Sequence, residues 1–349
     1  MKKLRKIACI CVSIFILAAS PVFSDSTLEL DKLQSAINDF SESLATSLPF
    51  NSTVGLNWSD AYIGQLIGKP PHFGFGLSAG VTSIDSVAID SLLGAFDVSG
   101  LNLSLPIIGF PLPAYTFDLR LGGFGIPFDF GFKFGILDTS KIDMLASLLT
   151  GMKMDYMLIG GDFRYALLNG KGFPVRLSVG GGFNHIRGGL STSIGDGFEA
   201  LIDDPQGGND PIGKLTIDAP ELGLIWQSNV IEAKAQVSFP LVIITPYAGI
   251  GVSYAWSKAG YYVKSQITVD DEGSGYGSSL NGYIDILADQ YGISGLSGNG
   301  FESINEINGF NFRAFGGISL NLAVIKIDMT IMYNFKNAFG ATVGLRFQL

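Results

Sequence analysis

The side chains of this chain whose types and spacing could do chemistry are charges set among apolar neighbours. Asp118 and Arg120, Asp129 and Lys133, Asp162 and Arg164, and Glu232 and Lys234 fall within extended-looking runs, as do Arg176, Arg313, Asp328 and Arg346. Successive strand residues point to opposite faces, so these twelve are expected on one common face, opposite an apolar one. A face with charges of both signs can pair into a network that fills a narrow interior, or it can line a conducting passage. For catalysis there is little. His72 and His185 are the two histidines, neither has a zinc-ligand partner at helical spacing, and no Gly-x-Ser-x-Gly elbow is present. The Gly-x-Gly runs at Gly74, Gly180 and Gly249 lie inside strand patterns and open no helix, unlike phosphate loops. Asp203, Asp204 and Asp210 lack the alternation of a calcium loop and read as solvated surface. No enzymatic activity, cofactor or metal is expected.

The elements that must carry these charges are strands. Phe128, Phe130, Phe132, Phe134 and Ile136 alternate with Asp129, Gly131, Lys133 and Gly135, and Ile231 to Phe239 and Ile327 to Phe335 repeat the pattern. Mean hydropathy is +0.35 with 15% charged residues. Yet past the first residues no apolar run approaches the roughly 18 of a membrane helix. Lipid tolerates only helices and closed barrels, so the reading is an all-β, transmembrane, antiparallel up-and-down barrel. The strands are expected at 72–82, 114–123, 126–137, 153–167, 173–188, 214–227, 229–239, 245–257, 260–269, 310–323, 326–335 and 338–349. That makes about twelve, or about fourteen if 50–57 and 98–105 contribute. Short connections then fall at one end, the periplasmic one, with turns at Ser228 and at Ser257 to Lys258 among them. The outer connections 83–113, 138–152, 189–213 and 270–309 share the other end with the short segments 240–244 and 336–337. Arg120 is expected opposite Asp129, and Asp328 opposite Arg346. Trp226, Trp256 and Phe347 are expected near the periplasmic edge, and Tyr115, Phe310, Phe312, Tyr333 and Phe335 near the outer one.

The two ends of the chain differ from this pattern. Residues 1–24 read as a cleaved secretory signal: Lys2, Lys3, Arg5 and Lys6, then the apolar Ile7 to Leu17, then small residues to Ser24. Cys9 and Cys11 leave with it, which removes thiol chemistry. The remaining 18 basic residues face 31 acidic ones, a net charge of about −13 that argues against nucleic acid. Residues 25–50 form an expected amphipathic helix, with Leu30, Leu33, Ile37, Phe40 and Leu44 recurring every three to four residues. It is open whether that helix is a plug, a periplasmic extension or an assembly helix. Residues 51–349 are assigned to the barrel.

At the C-terminus, Thr342, Gly344, Phe347 and Leu349 resemble the signal read by the barrel-assembly machinery, with Leu349 standing where many such signals carry Phe. The resemblance implies that machinery and outer-membrane lipid as partners. A helix ahead of a barrel also resembles, in architecture, the long-chain fatty-acid transporter family, whose N-terminal segment occludes a larger fourteen-stranded barrel. The expectation is a bacterial outer-membrane channel or transporter for a small or lipid-like, hydrophobic solute. The alternative is a surface protein acting through its acidic outer loops.

Overall fold

The structure, a computed structural model, describes residues 27–61, 72–84, 110–122, 127–139, 153–169, 174–193, 198–203, 211–219, 221–265, 267–270, 300–336 and 338–349. The leader expected at 1–24 and the segment 98–105 lie outside them. Helix α1 (Thr27–Asn51) comes first. Strands follow: β1 (His72–Ile84), β2 (Phe110–Gly122), β3 (Phe128–Asp138), β4 (Lys153–Asn169), β5 (Arg176–Ser193), β6 (Phe198–Asp203), β7 (Pro211–Ile217), β8 (Glu221–Ser238), β9 (Ile244–Lys264), β10 (Ile267–Asp270), β11 (Gly300–Leu322), β12 (Ile325–Asn334) and β13 (Ala338–Gln348).

Among the described residues, ten strands close an antiparallel barrel in the order β1-β13-β12-β11-β9-β8-β5-β4-β3-β2. The remaining three, β10-β7-β6, form a small separate sheet. The barrel closes where Phe75 pairs with Phe347 and Leu349 N–H donates to the Phe73 carbonyl at 3.0 Å, so neither β1 nor β13 is left as an open edge.

Ten strands replace the expected twelve to fourteen because two expected turns do not exist. Ser228 and Ser257 sit inside continuous strands, directly paired, and their hydroxyls meet at 2.8 Å inside the barrel. A small polar residue on an inward face reads like a turn when its partner strand is unknown. Residues 50–57 form no strand. Each false turn reversed the chain once, so the two cancelled and the four long connections remain at one end. The segment 240–244 between them changes ends and becomes a short connection at the turn side.

The exterior is apolar. Phe130, Phe132, Phe183, Ile331 and Val343 are all exposed, whereas Asp129, Lys133, Thr330 and Thr342 between or beside them are buried inside. Barrels in lipid have this inverted arrangement. Strands β8, β9 and β11 run 18, 21 and 23 residues, against about 9–11 needed to cross a bilayer. Along β11 the outward residues change from Glu302, Glu306 and Asn308 to Phe310 and Phe312. Tyr254 packs edge-on against both Trp256 and Phe310 at that change, with ring centroids 5.0 and 4.9 Å apart. Trp256 therefore lies toward the loop end and not the periplasmic edge, and Trp226 points inward and is buried. Both departures follow from the false turns. The upper parts of these strands form a wall on one side of the barrel, above the apolar belt.

Candidate functional site

The inward-facing charges gather toward the turn end. Arg120 donates to Asp129 at 2.6 Å and to Asp162 at 2.7 Å; Arg164 adds a 2.8 Å pair to Asp129, and Lys234 a 2.6 Å pair to Asp162. Arg313 pairs with Glu232 at 2.8 Å and Arg346 with Asp328 at 2.6 Å. Asp118 accepts from the hydroxyls of Ser78 and Thr116, both at 2.7 Å. The charged side chains among these are almost fully buried. The ladder, however, sets Arg120 opposite Gly131 and Arg346 opposite Lys326. Asp129 and Asp328 are diagonal neighbours of their arginines, not directly opposite as expected. The expected pairs form nonetheless because a two-residue offset keeps both partners on one face within arginine's reach.

Into this network runs a segment of the chain itself. Residues 51–61, assigned above to the barrel, form no strand and are buried throughout. They follow α1 into the bore and are held by side chains from nine of its strands. Asn51 donates to Thr82 and to the Leu112 carbonyl, both at 2.9 Å. Lys133 donates to the carbonyls of Ser52 and Val54 at 2.7 and 2.8 Å, and Gln236 to those of Trp58 and Ser59 at 2.7 and 3.0 Å. Asp118 accepts from the Leu56 amide at 2.9 Å, Ser238 from that of Ala61 at 3.0 Å, and Asp328 from that of Ser59 at 3.3 Å. The Asn57 carbonyl accepts from Tyr247 at 3.4 Å, and Thr53 meets the Met332 sulfur at 3.7 Å. Gly55 turns the chain with φ +83°, and a Cβ there would run into Thr116 and Asp118.

Two side chains of this segment are gripped hardest. Trp58 lies under the Arg346 and Arg120 guanidiniums, 4.8 and 5.6 Å from its ring centroid. Gly74 makes room for it, since a Cβ would sit 2.8 Å from the ring. Asp60 accepts from Lys326 at 2.6 Å, Arg346 at 2.9 Å and Arg176 at 3.0 Å, and its carbonyl accepts from Arg164 at 2.6 Å. Burial works to raise the Asp60 pKa, but Arg346, Lys326 and Arg176 outweigh it and hold the carboxyl well below the usual range.

Toward the loop end the interior is apolar. Phe40, Leu44, Ala45 and Leu48 of α1 pack into a cluster with Ile84, Leu112, Tyr156, Leu158, Ile186 and Trp226 of the wall. Asp39 and Glu42 stay exposed on the opposite side of the helix. Helical side chains separated by three or four residues share a face, which brings Phe40, Leu44 and Leu48 into one stripe. The side chains of Leu30, Leu33 and Ile37 lie outside the described residues.

The model of a family of unknown function (DUF6588) matches residues 159–349, more than half of the sequence. The chain belongs to this family. No curated protein matches it. Among solved structures, it is similar to the attachment invasion locus protein Ail of Yersinia pestis, at 9% identity over 81% of this chain and 100% of that one, with a TM-score of 0.28. A major outer membrane protein of Thermus thermophilus matches at 9% identity over 79% and 99% of the two chains, with a TM-score of 0.27. OprB of Pseudomonas putida matches at 7% identity over 80% and 94%, with a TM-score of 0.18. The architectural resemblance to fourteen-stranded fatty-acid transporters does not extend to strand number: among the described residues of this DUF6588 chain the barrel has ten strands.

Of the twelve expected inward charges, the structure joins Arg120, Asp129, Asp162, Arg164 and Lys234 into one network, pairs Arg313 with Glu232, and puts Arg176, Asp328 and Arg346 around residues 59–60. Lys133 and Asp118 hold the plug-side backbone instead. Lys326 was missed although it lies two residues before Asp328 and shares its face; the expected turn beside it hid the parity. Trp58 and Asp60 carried no periodic signal. In the C-terminal motif, Thr342 and Gly344 point inward and are buried, and Phe347 and Leu349 are half-buried outside. His72 lies on β1, and His185 on β5 meets Asn229 at 2.7 Å, so the two histidines do not converge. The residues Asp204 and Asp210, and the side chain of Asp203, lie outside the described residues.

Proposed function

We propose that this protein is a bacterial outer-membrane channel for small, hydrophobic solutes, gated by its own N-terminal segment. The observation that carries the reading is that the bore is filled by residues 40–61, a contiguous stretch of chain that is not part of the barrel wall, and not by wall side chains alone. Permanently closing a barrel of ten strands needs only larger wall residues. A separate insert gripped by ion pairs and backbone hydrogen bonds gives instead two states of the same wall. The apolar belt and the polar interior support placement in a bilayer, and the alternating β13 fits the assembly signal read at Thr342, Gly344, Phe347 and Leu349. Planar-bilayer conductance tests the proposal. Wild-type protein should show rare openings and a variant lacking residues 28–61 sustained current; no current and no solute uptake from either, with the barrel assembled, would sink it.

A second reading, a surface protein whose barrel is an anchor, draws on the wall of β8, β9 and β11 above the apolar belt and on the β10-β7-β6 sheet. Removing 194–217 and 266–299 while the barrel still assembles should abolish binding to cells under this reading and leave conductance unchanged under the first.

A further inference from the structure

The grip on Asp60 says what kind of solute the bore takes. One carboxylate accepts from three cations: Lys326 and Arg346, both nearly buried, and Arg176, which is 21% exposed at the turn end. Asp328 joins the group through Arg346. Taken over the described strands, eight basic side chains face inward against five acidic ones, an excess of three. Within residues 51–61 Asp60 is the sole charged side chain. When this segment leaves, the wall keeps its excess of positive charge and loses the anion that offsets it.

Like charges crowded along an open bore repel one another and attract anions, and a ligand shifts an equilibrium only by the difference in its affinity for the two states. A neutral or cationic solute does nothing for the three cations and so favours the plugged state no less than the open one. An anion of carboxylate size replaces what Asp60 supplied. The plug also defines the body attached to that anion. Two residues before Asp60, the flat Trp58 ring sits against two guanidinium faces, in room that Gly74 leaves for it.

We infer that Arg176, Lys326 and Arg346 are the binding place for the carboxylate of the transported solute, that Asp60 holds that place in the closed state, and that the solute is a small organic anion with a flat apolar body. This rests on the transport reading above and narrows it.

The test uses the full-length Asp60→Ala variant in planar bilayers under a potassium chloride gradient. It should open far more often than wild type, and its reversal potential should show chloride preferred over potassium several-fold. Benzoate should block the chloride current, and its neutral isostere benzamide should not. Adding Lys326→Gln should bring the permeability ratio toward unity and weaken the benzoate block. An open state without anion preference, or equal block by benzamide, overturns this inference and leaves the transport reading standing. Absence of current from every assembled variant overturns both. If heat-modifiable migration shows that Asp60→Ala does not assemble, Asp60→Asn, which keeps the side chain's shape, takes its place with the same outcomes deciding.

Discussion

Between α1 and the loop ends of the strands, the bore is packed with Phe40, Leu44, Leu48, Ile186 and Trp226; between residues 51–61 and the turn ends it is packed with Asp60, Arg164, Lys326 and Arg346. Both regions bury the same continuous stretch of chain, but they hold it differently. Apolar packing is non-directional, so the helix gains from burial wherever its stripe meets the wall. Ion pairs and hydrogen bonds are directional, and a buried charge without its partner is costly, so residues 51–61 fit in one position and one register. The apolar half therefore contributes strength, and the charged half decides position and the conditions for release.

The largest effect should come from breaking the charged half. Arg346→Ala removes the shared partner of Asp60 and Asp328 and one of the cations over Trp58. The expected loss is about 3–5 kcal/mol, the usual consequence of leaving buried charge unpaired. It should appear as a lower temperature of the heat-modified gel shift, together with protease access to residues 51–61. In the apolar half, Leu48→Ala should cost roughly 2–4 kcal/mol through lost burial and the cavity left behind. Here proteolysis should reach α1 first while the barrel keeps its gel shift. If both variants expose the whole insert equally, the two halves are one cooperative unit and the contrast fails.

Gly55→Ala sharpens the positional argument. It adds a single methyl group in a left-handed conformation against Thr116 and Asp118, and should cost about 1–3 kcal/mol. Acid probes Asp60 together with the other buried carboxylates of the bore. A carboxyl whose folded pKa is depressed contributes stability that is complete above its unfolded pKa of about 4 and is lost as pH falls through the folded value. Conductance of the wild type should thus be flat between about pH 5 and 8 and rise only below about pH 4. Opening on raising the pH would have the wrong sign. The smallest effect is expected outside the bore. The Lys258–Glu306 pair, 2.5 Å apart but more than half exposed on both sides, should contribute under about 1 kcal/mol, and Lys258→Ala should leave the plug untouched.

What was legible in the sequence was local. Alternation at a period of two depends only on strand geometry, so Phe128 to Ile136 announced an apolar face and Asp129 and Lys133 the buried one, and the tertiary structure had no alternative but to place them so. The same locality misled at Ser228 and Ser257. Each looks like a turn until its partner on the neighbouring strand supplies the hydrogen bond that makes it an inward strand residue. Lys326 shows the intermediate case, with parity readable but obscured by a turn one residue away.

The sequence by itself determined an all-β chain with one apolar and one charged face and a helical stripe that includes Phe40 and Leu44 ahead of it. These properties follow from residue periods and need no knowledge of distant contacts. Only the tertiary structure decided the number of strands, the diagonal offsets that join Arg120 to Asp129 and Arg346 to Asp328, and the place of residues 51–61. That segment has no period to read because its partners come from strands all around the bore. Asp60 becomes the centre of a three-cation site only when β5, β12 and β13 are brought together by barrel closure.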